Sequence, residues 1–445
     1  MRKIILSINA GSSSVKISAY SAEQNQDPEK LAETQITGIT APPAKLDYAR
    51  RGVQVAKGQE LAERLETQND AFKLLLRTLT NDPELPEIAQ KSDIAITCHR
   101  IAHGGDYTTA KVINQDTYHH IELLTDLAPL HNVKALQIVK SCMAELPGAT
   151  NVGCFDSQFH ASIPEHIYTY PINPEIARKN QLRKYGFHGN SFQFIVRSVS
   201  RFLGRDPGSL NLIALHLGSG ASACAIKDGR SWDTSMGLTP LAGLPGATRS
   251  GSVDPSLVFH YASDVGKLSP NSTKDLHISE AEEILNLRSG WAALTGTTDF
   301  GVIASPASWA EHPSYKLAFD LFVDRVCAFV GSYYVSLGGR VDALVFAGGI
   351  GERSALLRSA VVGQAACLGF AIDEARNNSS TSNGTSNGTS NGTSNGNSNG
   401  TSNTFEITDV VRDIGREGAQ HRTLVCFTDE QFEMARGCAD NAELW

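Results

Sequence analysis

The chain has 445 residues, more than one hydrophobic core comfortably serves, and its 41% hydrophobic and 19% charged residues fit a folded globular protein of two or three domains. Its 39 Lys and Arg against 47 Asp and Glu leave a net charge of -8, which argues against broad adhesion to nucleic acid or to an anionic membrane. No run reaches the roughly 18 apolar residues of a transmembrane helix, and residues 1–9 are too short in their apolar part for an export signal, so a cytoplasmic location is expected.

In chain order, residues 4–7, a small-residue turn at Asn9-Ala10-Gly11-Ser12 and the alternating run 15–20 predict a β-hairpin that opens a sheet. Helical periodicity predicts helices over 60–80, 132–146 and 191–202. A second hairpin follows: strand 212–217, the turn Gly218-Ser219-Gly220-Ala221-Ser222, strand 223–226 and a tight turn at 227–230. After a further helix over 316–337, strand 341–346 runs into Ala347-Gly348-Gly349-Ile350-Gly351-Glu352. Two similar α/β halves, each opening with a hairpin of phosphate size, are the simplest account. Residues 377–403 are almost entirely Ser, Asn, Gly and Thr and carry nothing to bury, so they read as a disordered insert. The eight cysteines lie far apart with no Cys-x-x-Cys pair, which suits buried thiols in a reducing compartment.

Backbone N–H groups can surround phosphate oxygens only where side chains stay clear, so the small-residue turns point to a nucleotide polyphosphate. Residues 218–223 fit the dinucleotide pattern, but an alternating strand follows where that pattern needs a helix, and no Walker A sequence occurs. The G-x-S-x-G at 384–388 and the Asn-Gly-Thr sequons belong to the insert, which supplies neither strand nor export signal. His99 and His103 have the spacing of two zinc ligands, yet Gly104-Gly105 breaks any helix there and no further ligand pair completes a site. Polar residues cluster at 98–105, 128–132, 155–160, 185–191 and 246–255, and arginines flanked by Gly and His in such turns favour anions.

Ile5-Leu6-Ser7-Ile8-Asn9-Ala10-Gly11-Ser12-Ser13-Ser14-Val15-Lys16 resembles the opening signature of the acetate kinase family. Tyr185 to His188, and the run from Ser235 to Pro240 and on to Thr248-Arg249-Ser250-Gly251, resemble its other signatures, and the likeness extends in order from Ile5 to Glu430 with the insert left out. In its insert and its departures the chain resembles a eukaryotic, fungal-type member. The resemblance implies an α/β, two-lobed duplicated fold of the sugar kinase, heat-shock chaperone and actin superfamily, with the active site in the cleft between lobes. It implies lobes of 1–161, completed by about 431–445, and 162–430, with the insert inside the second. It also implies reversible phosphoryl transfer between ATP and acetate, giving ADP and acetyl phosphate, with magnesium or possible manganese, in a homodimer linked metabolically to phosphoketolase. Carried over by position, Asp156, Arg249, His188 and His131 are catalytic. Arg100, Ala102, Leu130, Phe187 and Pro240 bind the acid. Asn9, Ser12, Ser14, Lys16, His216, Gly218, Ser219, Gly220, Asp299, Gly348, Gly349, Ile350 and Gly351 bind the nucleotide, and Asn9 and Glu430 serve the metal.

Chemistry agrees with those roles. Acetate is already a carboxylate at neutral pH, so the difficulty is bringing two anions together in line rather than removing a proton. Arginines, a histidine donor and a cation held through Asp156 and Glu430 answer that difficulty. Four departures from the family pattern bear on specificity: Ser219 for an Asn, Thr297-Thr298-Asp299-Phe300-Gly301 without the usual Arg, Arg353 for an Asn, and Ala102 for a Val. The first three touch nucleotide affinity and the last widens the acid pocket. A propionate or butyrate kinase, a pyrophosphate-linked relative and a non-catalytic ATP switch are the alternatives. The retained Gly348-Gly349-Ile350-Gly351-Glu352 speaks against the second, and Arg100, Arg249, His131 and His188 together speak against the third.

Overall fold

A computed structural model of the chain describes residues 2–11, 13–126, 129–261, 267–272, 278–379 and 410–445. Eight strands form the first sheet: β1 (Lys3–Ala10), β2 (Ser14–Ala22), β3 (Glu29–Thr37), β4 (Lys45–Arg50), β5 (Val53–Glu60), β6 (Ile94–Ile101), β7 (Lys111–Val112) and β8 (Thr150–Phe155). Their spatial order is β5-β4-β3-β2-β1-β6-β8-β7. Six more form the second: β9 (Leu212–Leu217), β10 (Ala221–Lys227), β11 (Arg230–Thr234), β12 (Ala343–Ala347), β13 (Val411–Asp413) and β14 (Arg422–Cys426), ordered β11-β10-β9-β12-β14-β13.

The expected duplication is present in the topology. In the first sheet β3-β2-β1 are antiparallel neighbours and β1, β6 and β8 run parallel; in the second β11-β10-β9 and then β9, β12 and β14 repeat that scheme. Both faces of the parallel strands are covered, which is why β12 is an unbroken apolar run with every residue buried. The two hairpin turns lie where the sequence puts them: Ala10 pairs with Val15 across one, Leu217 with Ala221 across the other. Asp228 and Gly229 both take positive φ (51° and 70°), the conformation of a tight turn whose twist matches its flanking strands.

Two helices fill the space between the sheets. Gly189–Leu203 presents Phe192, Ile195, Val196 and Val199 along one stripe, and Glu430–Asp440 presents Met434, Ala435 and Cys438. They share one core with Ile5, Ile96 and Val152 of the first sheet and Leu212, Ala214 and Leu424 of the second. The ends of β6, β8 and β9 and the starts of both helices thereby converge, and the polar site lies there.

Three expectations need correction. The helix expected over 60–80 begins at Gln68: Glu60 ends β5, and Thr67 and Asp70 cap the helix reciprocally. Cys367 is exposed and Cys327 partly so, whereas the other six are buried, four in strands and two, Cys142 and Cys438, on the packed faces of helices; all eight are free thiols. Asn377, the first residue assigned to the insert, is buried at the end of the helix Glu374–Asn378. It accepts from Arg358 Nε through Oδ1 at 2.7 Å and from Arg358 Nη2 through its carbonyl at 2.9 Å. A buried guanidinium needs acceptors, which gives this residue of the Asn-rich tract a packing role.

Candidate active site

The site starts from Arg100, near the end of β6. Its Nε and Nη2 donate to the Asp156 carboxylate at 3.0 and 2.8 Å, and its Nη1 stands 3.2 Å from Glu430 Oε2. Asp156 follows β8, and Glu430 is the first residue of its helix. Asn190 donates to Asp156 at 3.1 Å and Ser191 to Glu430 at 2.5 Å, so the start of the Gly189 helix holds both carboxylates in place. His216 Nε2 lies 3.9 Å from Glu430 Oε1. Asn190 and Ser191 fall in the polar cluster 185–191, and their place directly after His188-Gly189, at a helix start, is the sequence signal for such a role.

Burial acts on all these groups. It raises Asp156 above the ordinary carboxylate range despite Arg100 beside it. Burial also pushes Glu430 upward, but the charges of Arg100 and His216 and the Ser191 hydrogen bond outweigh it, and its net shift is downward. His188 is pushed well below its usual value, first by burial and then by His216, Arg100 and Arg249, so it is neutral near pH 7. The His188 and His216 rings lie 4.5 Å apart.

Arg249 differs from Arg100. Its guanidinium lies against Gly220, where any Cβ would collide with Nη2, and its loop is fixed to the second hairpin by Ala247 N–H donating to Ser219 O at 2.8 Å. Among the described residues no carboxylate pairs with it. Burial, together with repulsion from Arg100, lowers it to about 10, so it remains a cation at neutral pH without a counter-ion. Such a group is an anion receptor in waiting.

The two Gly-rich segments meet. Gly348, at φ +73°, sits so close to β9 that a Cβ would stand 2.7 Å from Leu217 O, and a Cβ on Gly218 would stand 4.0 Å from Gly349 N. The helix Gly348–Arg353 is tied down from two sides. Glu352 Oε1 accepts from Gly348 N–H and Thr428 N–H, both at 3.1 Å, and Arg358 donates to the carbonyls of Gly351 and Glu352 at 2.9 and 2.8 Å. Gly349 and Ile350 belong to this short helix. Glu352 and Arg358 had no assigned role in the sequence reading.

Ala102 and Phe187 join one apolar cluster with Tyr185, Met236 and Leu238. His160 donates from Nε2 to the Phe187 carbonyl at 3.0 Å and fixes that wall. Pro240 is buried but outside the cluster, and Met236 is a lining residue the motifs did not single out. Asn9 and Ser14 flank the first hairpin turn, half-buried. Two expected nucleotide contacts are engaged elsewhere. Lys16 pairs with Glu33 of β3 at 3.0 Å because β2 and β3 are neighbours, although its charge still helps lower Glu430. Asp299 is exposed and caps the helix Phe300–Ile303, accepting from Gly301 N–H at 2.8 Å. Ser12 and the side chains of Leu130 and His131 lie outside the described residues.

A duplicated α/β pair of lobes, with glycine turns beside an arginine that has no counter-ion among the described residues and two carboxylates organised by a second arginine, is the architecture of a phosphotransferase. The family model described as the acetokinase family matches residues 4–396. The chain belongs to the acetokinase family, and its activity is that of an acetate kinase. It is 58% identical to a probable acetate kinase of Chaetomium globosum over 100% of this chain and 99% of that protein. A solved propionate kinase of Francisella tularensis superposes with a TM-score of 0.78 at 30% identity, covering 98% of both chains. An acetate kinase structure from Porphyromonas gingivalis gives 0.76 at 27% identity over 97% of this chain and 98% of that one.

Proposed function

We propose that the enzyme transfers the γ-phosphoryl group of ATP directly to acetate, an acetate oxygen forming the new bond to phosphorus while the bond to the β-phosphate oxygen breaks and its electron pair leaves with ADP. The observation that carries this reading is Arg249, a buried cation with no carboxylate partner among the described residues, set over Gly220 beside the two Gly-rich segments. Arg249 neutralises the moving phosphoryl group. Arg100, already held between Asp156 and Glu430, orients those carboxylates and adds positive potential at the same point. His188, neutral and near both arginines, donates a hydrogen bond and does not act as a base, which acetate does not need. The apolar walls of Ala102, Phe187, Met236 and Leu238 take the methyl group.

Asp156, Glu430 and Asn9 offer oxygen donors suited to a hard cation, and among the described residues no cluster of three or more His, Cys, Asp or Glu side chains builds a complete metal shell. That donor set fits magnesium, which keeps waters and relies on substrate phosphates for the rest of its ligands. A cation held there would supply neutralising charge to the nucleotide phosphates. We read the lobes as 1–161 with 431–445, and 162–430. Phe259, Tyr261 and Leu268 are large apolar side chains left exposed in the second lobe and support a homodimer through it. A cytoplasmic enzyme that receives acetyl phosphate from a phosphoketolase fits this reading. No helix among the described residues is long and apolar enough to cross a membrane.

The test is trapping of acyl phosphate as its hydroxamate with ATP, magnesium and acetate, in parallel with manganese, with propionate and without acid. Acetohydroxamate formed only with nucleotide, metal and acid is the expected result. Hydroxamate with propionate but none with acetate would replace the reading by the propionate one.

A further inference from the structure

We propose that Ser222 is a positioning residue that holds His188 in the tautomer protonated on Nε2, so that this nitrogen donates into the cleft. The inference deepens the role given to His188 above and rests on it.

Ser222 is wholly buried near the start of β10 and pairs directly across the sheet with His216. Its Oγ lies 2.8 Å from His188 Nδ1. Among the described residues that hydroxyl has no other partner. A buried hydroxyl hydrogen needs an acceptor, and here Nδ1 is the acceptor within reach. If Nδ1 carried the proton instead, the hydroxyl hydrogen would be orphaned, and Nε2 would turn a lone pair toward the oxygens of an arriving phosphate. Nε2 has no hydrogen-bond partner among the described residues and is not among their sealed, unsatisfied atoms, so it keeps access to the cleft.

The backbone reinforces this. His188 has φ +62°, the left-handed region that non-glycine residues rarely adopt, and Gly189 N–H donates to Asp156 O at 2.8 Å to hold it there. Asp156 thus anchors the main chain while Ser222 anchors the ring. Tautomer selection matters because the imidazole is neutral: a cationic ring would donate from both nitrogens, a neutral one from a single nitrogen. A triad aspartate accepts from Nδ1–H and leaves Nε2 as the acceptor; here a buried hydroxyl donates to Nδ1 instead, so the tautomer is reversed and Nε2 is the donor.

The experiment has a spectroscopic and a kinetic arm on the full chain. In 15N spectra of protein labelled only in histidine, with His188 assigned by its loss in His188→Gln, Nδ1 should show the shift of an unprotonated ring nitrogen and Nε2 that of a protonated one. Ser222→Ala should lower kcat by roughly ten- to a hundredfold, the range for loss of an orienting partner, with KM for acetate and for ATP within about twofold. Ser222→Thr, which keeps the hydroxyl, should recover most of the loss. A protonated Nδ1 in the wild type overturns the proposal whatever the variants do, as does an unchanged kcat in Ser222→Ala. His188→Ala separates the two layers: full turnover there would remove His188 itself from the chemistry, whereas a dead His188→Ala beside a normal Ser222→Ala removes only Ser222.

Discussion

Removing either arginine should abolish most of the activity, yet the two deletions should act on the fold in different ways. Loss of one preorganised donor to a transferring group costs about 3 to 4 kcal/mol of transition-state stabilisation, so Arg249→Ala and Arg100→Ala should each turn over about a hundred- to a thousandfold more slowly at saturating substrates. Stability separates them. Arg249 has no carboxylate to leave behind, and its lowered proton affinity means that the fold already disfavours its charge; truncation should leave the melting temperature unchanged or raise it. Arg100→Ala strands Asp156, whose side chain is 3% exposed, and Glu430 at 17%. Breaking a buried pair from one side costs about 3 to 5 kcal/mol. The pH dependence has a definite sign. Asp156 is already raised in the wild type, and removing the guanidinium moves both carboxylates upward, so the variant loses more stability than wild type as pH rises through their folded-state pKa values. In the wild type Glu430 is held low, so its contribution is present above its unfolded pKa and lost as pH falls. The gap between Arg100→Ala and wild type should therefore be widest near neutrality and narrow as pH falls into the carboxylate range. Thermal melts across pH, beside steady-state turnover, decide the matter. Near-wild-type turnover in Arg249→Ala would refute its role at phosphorus, and equal destabilisation by the two substitutions would refute the assignment of counter-ions.

Three other perturbations follow from the same geometry. Ala102→Val should narrow the acid pocket formed with Phe187, Met236 and Leu238 and shift selectivity from propionate toward acetate by roughly 1 to 3 kcal/mol; an unchanged ratio of kcat/KM for the two acids would remove Ala102 from the specificity argument. Glu352→Ala takes away the acceptor shared by Gly348 N–H and Thr428 N–H, so KM for ATP should rise severalfold with KM for acetate unmoved, and Glu352→Gln, which keeps an acceptor oxygen, should recover part of the loss. Deleting 381–402 should leave turnover and melting temperature nearly unchanged, because Arg412 already contacts Ser379 on the near side and loop closure varies slowly with length; a deletion that begins at Asn377 should cost about 1 to 3 kcal/mol, since it leaves Nε and Nη2 of the buried Arg358 without their acceptors.

What could be read in the sequence was whatever leaves a local mark. Turns that admit no side chain must be spelled with small residues, and Gly220 beneath Arg249 and Gly348 against Leu217 are such places. The parallel strand β12 announces itself as a continuous apolar run, and β9 as one interrupted only by His216. Strand β5, Val-Gln-Val-Ala-Lys-Gly-Gln-Glu, does not, because it is exposed along almost its whole length and has no buried face to impose a pattern. The cap formed by Thr67 and Asp70 was legible, yet the charged stretch before it blurred the helix start. Asn377 was lost inside a tract defined by composition, and its reason for being buried is Arg358, on another helix. Lys16 and Glu33 meet only because β2 lies beside β3, a register that no local pattern fixes. The contacts that organise the site, Asn190 to Asp156 and Ser191 to Glu430, join segments that are distant in sequence, and only the packing of two helices between two sheets brings them together.

The charges at that convergence explain why the lobes meet there. Arg100 and Arg249 bring two positive charges, Asp156 and Glu430 two negative ones, and His188 adds none at neutral pH, so the cluster is formally close to neutral before substrates arrive. Neutrality makes it tolerable to bury so many ionisable groups at one place. It also means that the protein cannot by itself offset a nucleotide triphosphate and a carboxylate brought into contact. On the proposed reading the residues divide that work by pairing: Arg100 holds the two carboxylates in place, Arg249, with no counter-ion among the described residues, serves the group in flight, and the carboxylates serve a cation that arrives with the nucleotide. A site with both arginines unpaired would carry stronger attraction for phosphate but would repel that cation, and one with both paired would have no free donor at phosphorus. On that reading, the asymmetry between two arginines of like burial is the feature that serves both binding and turnover.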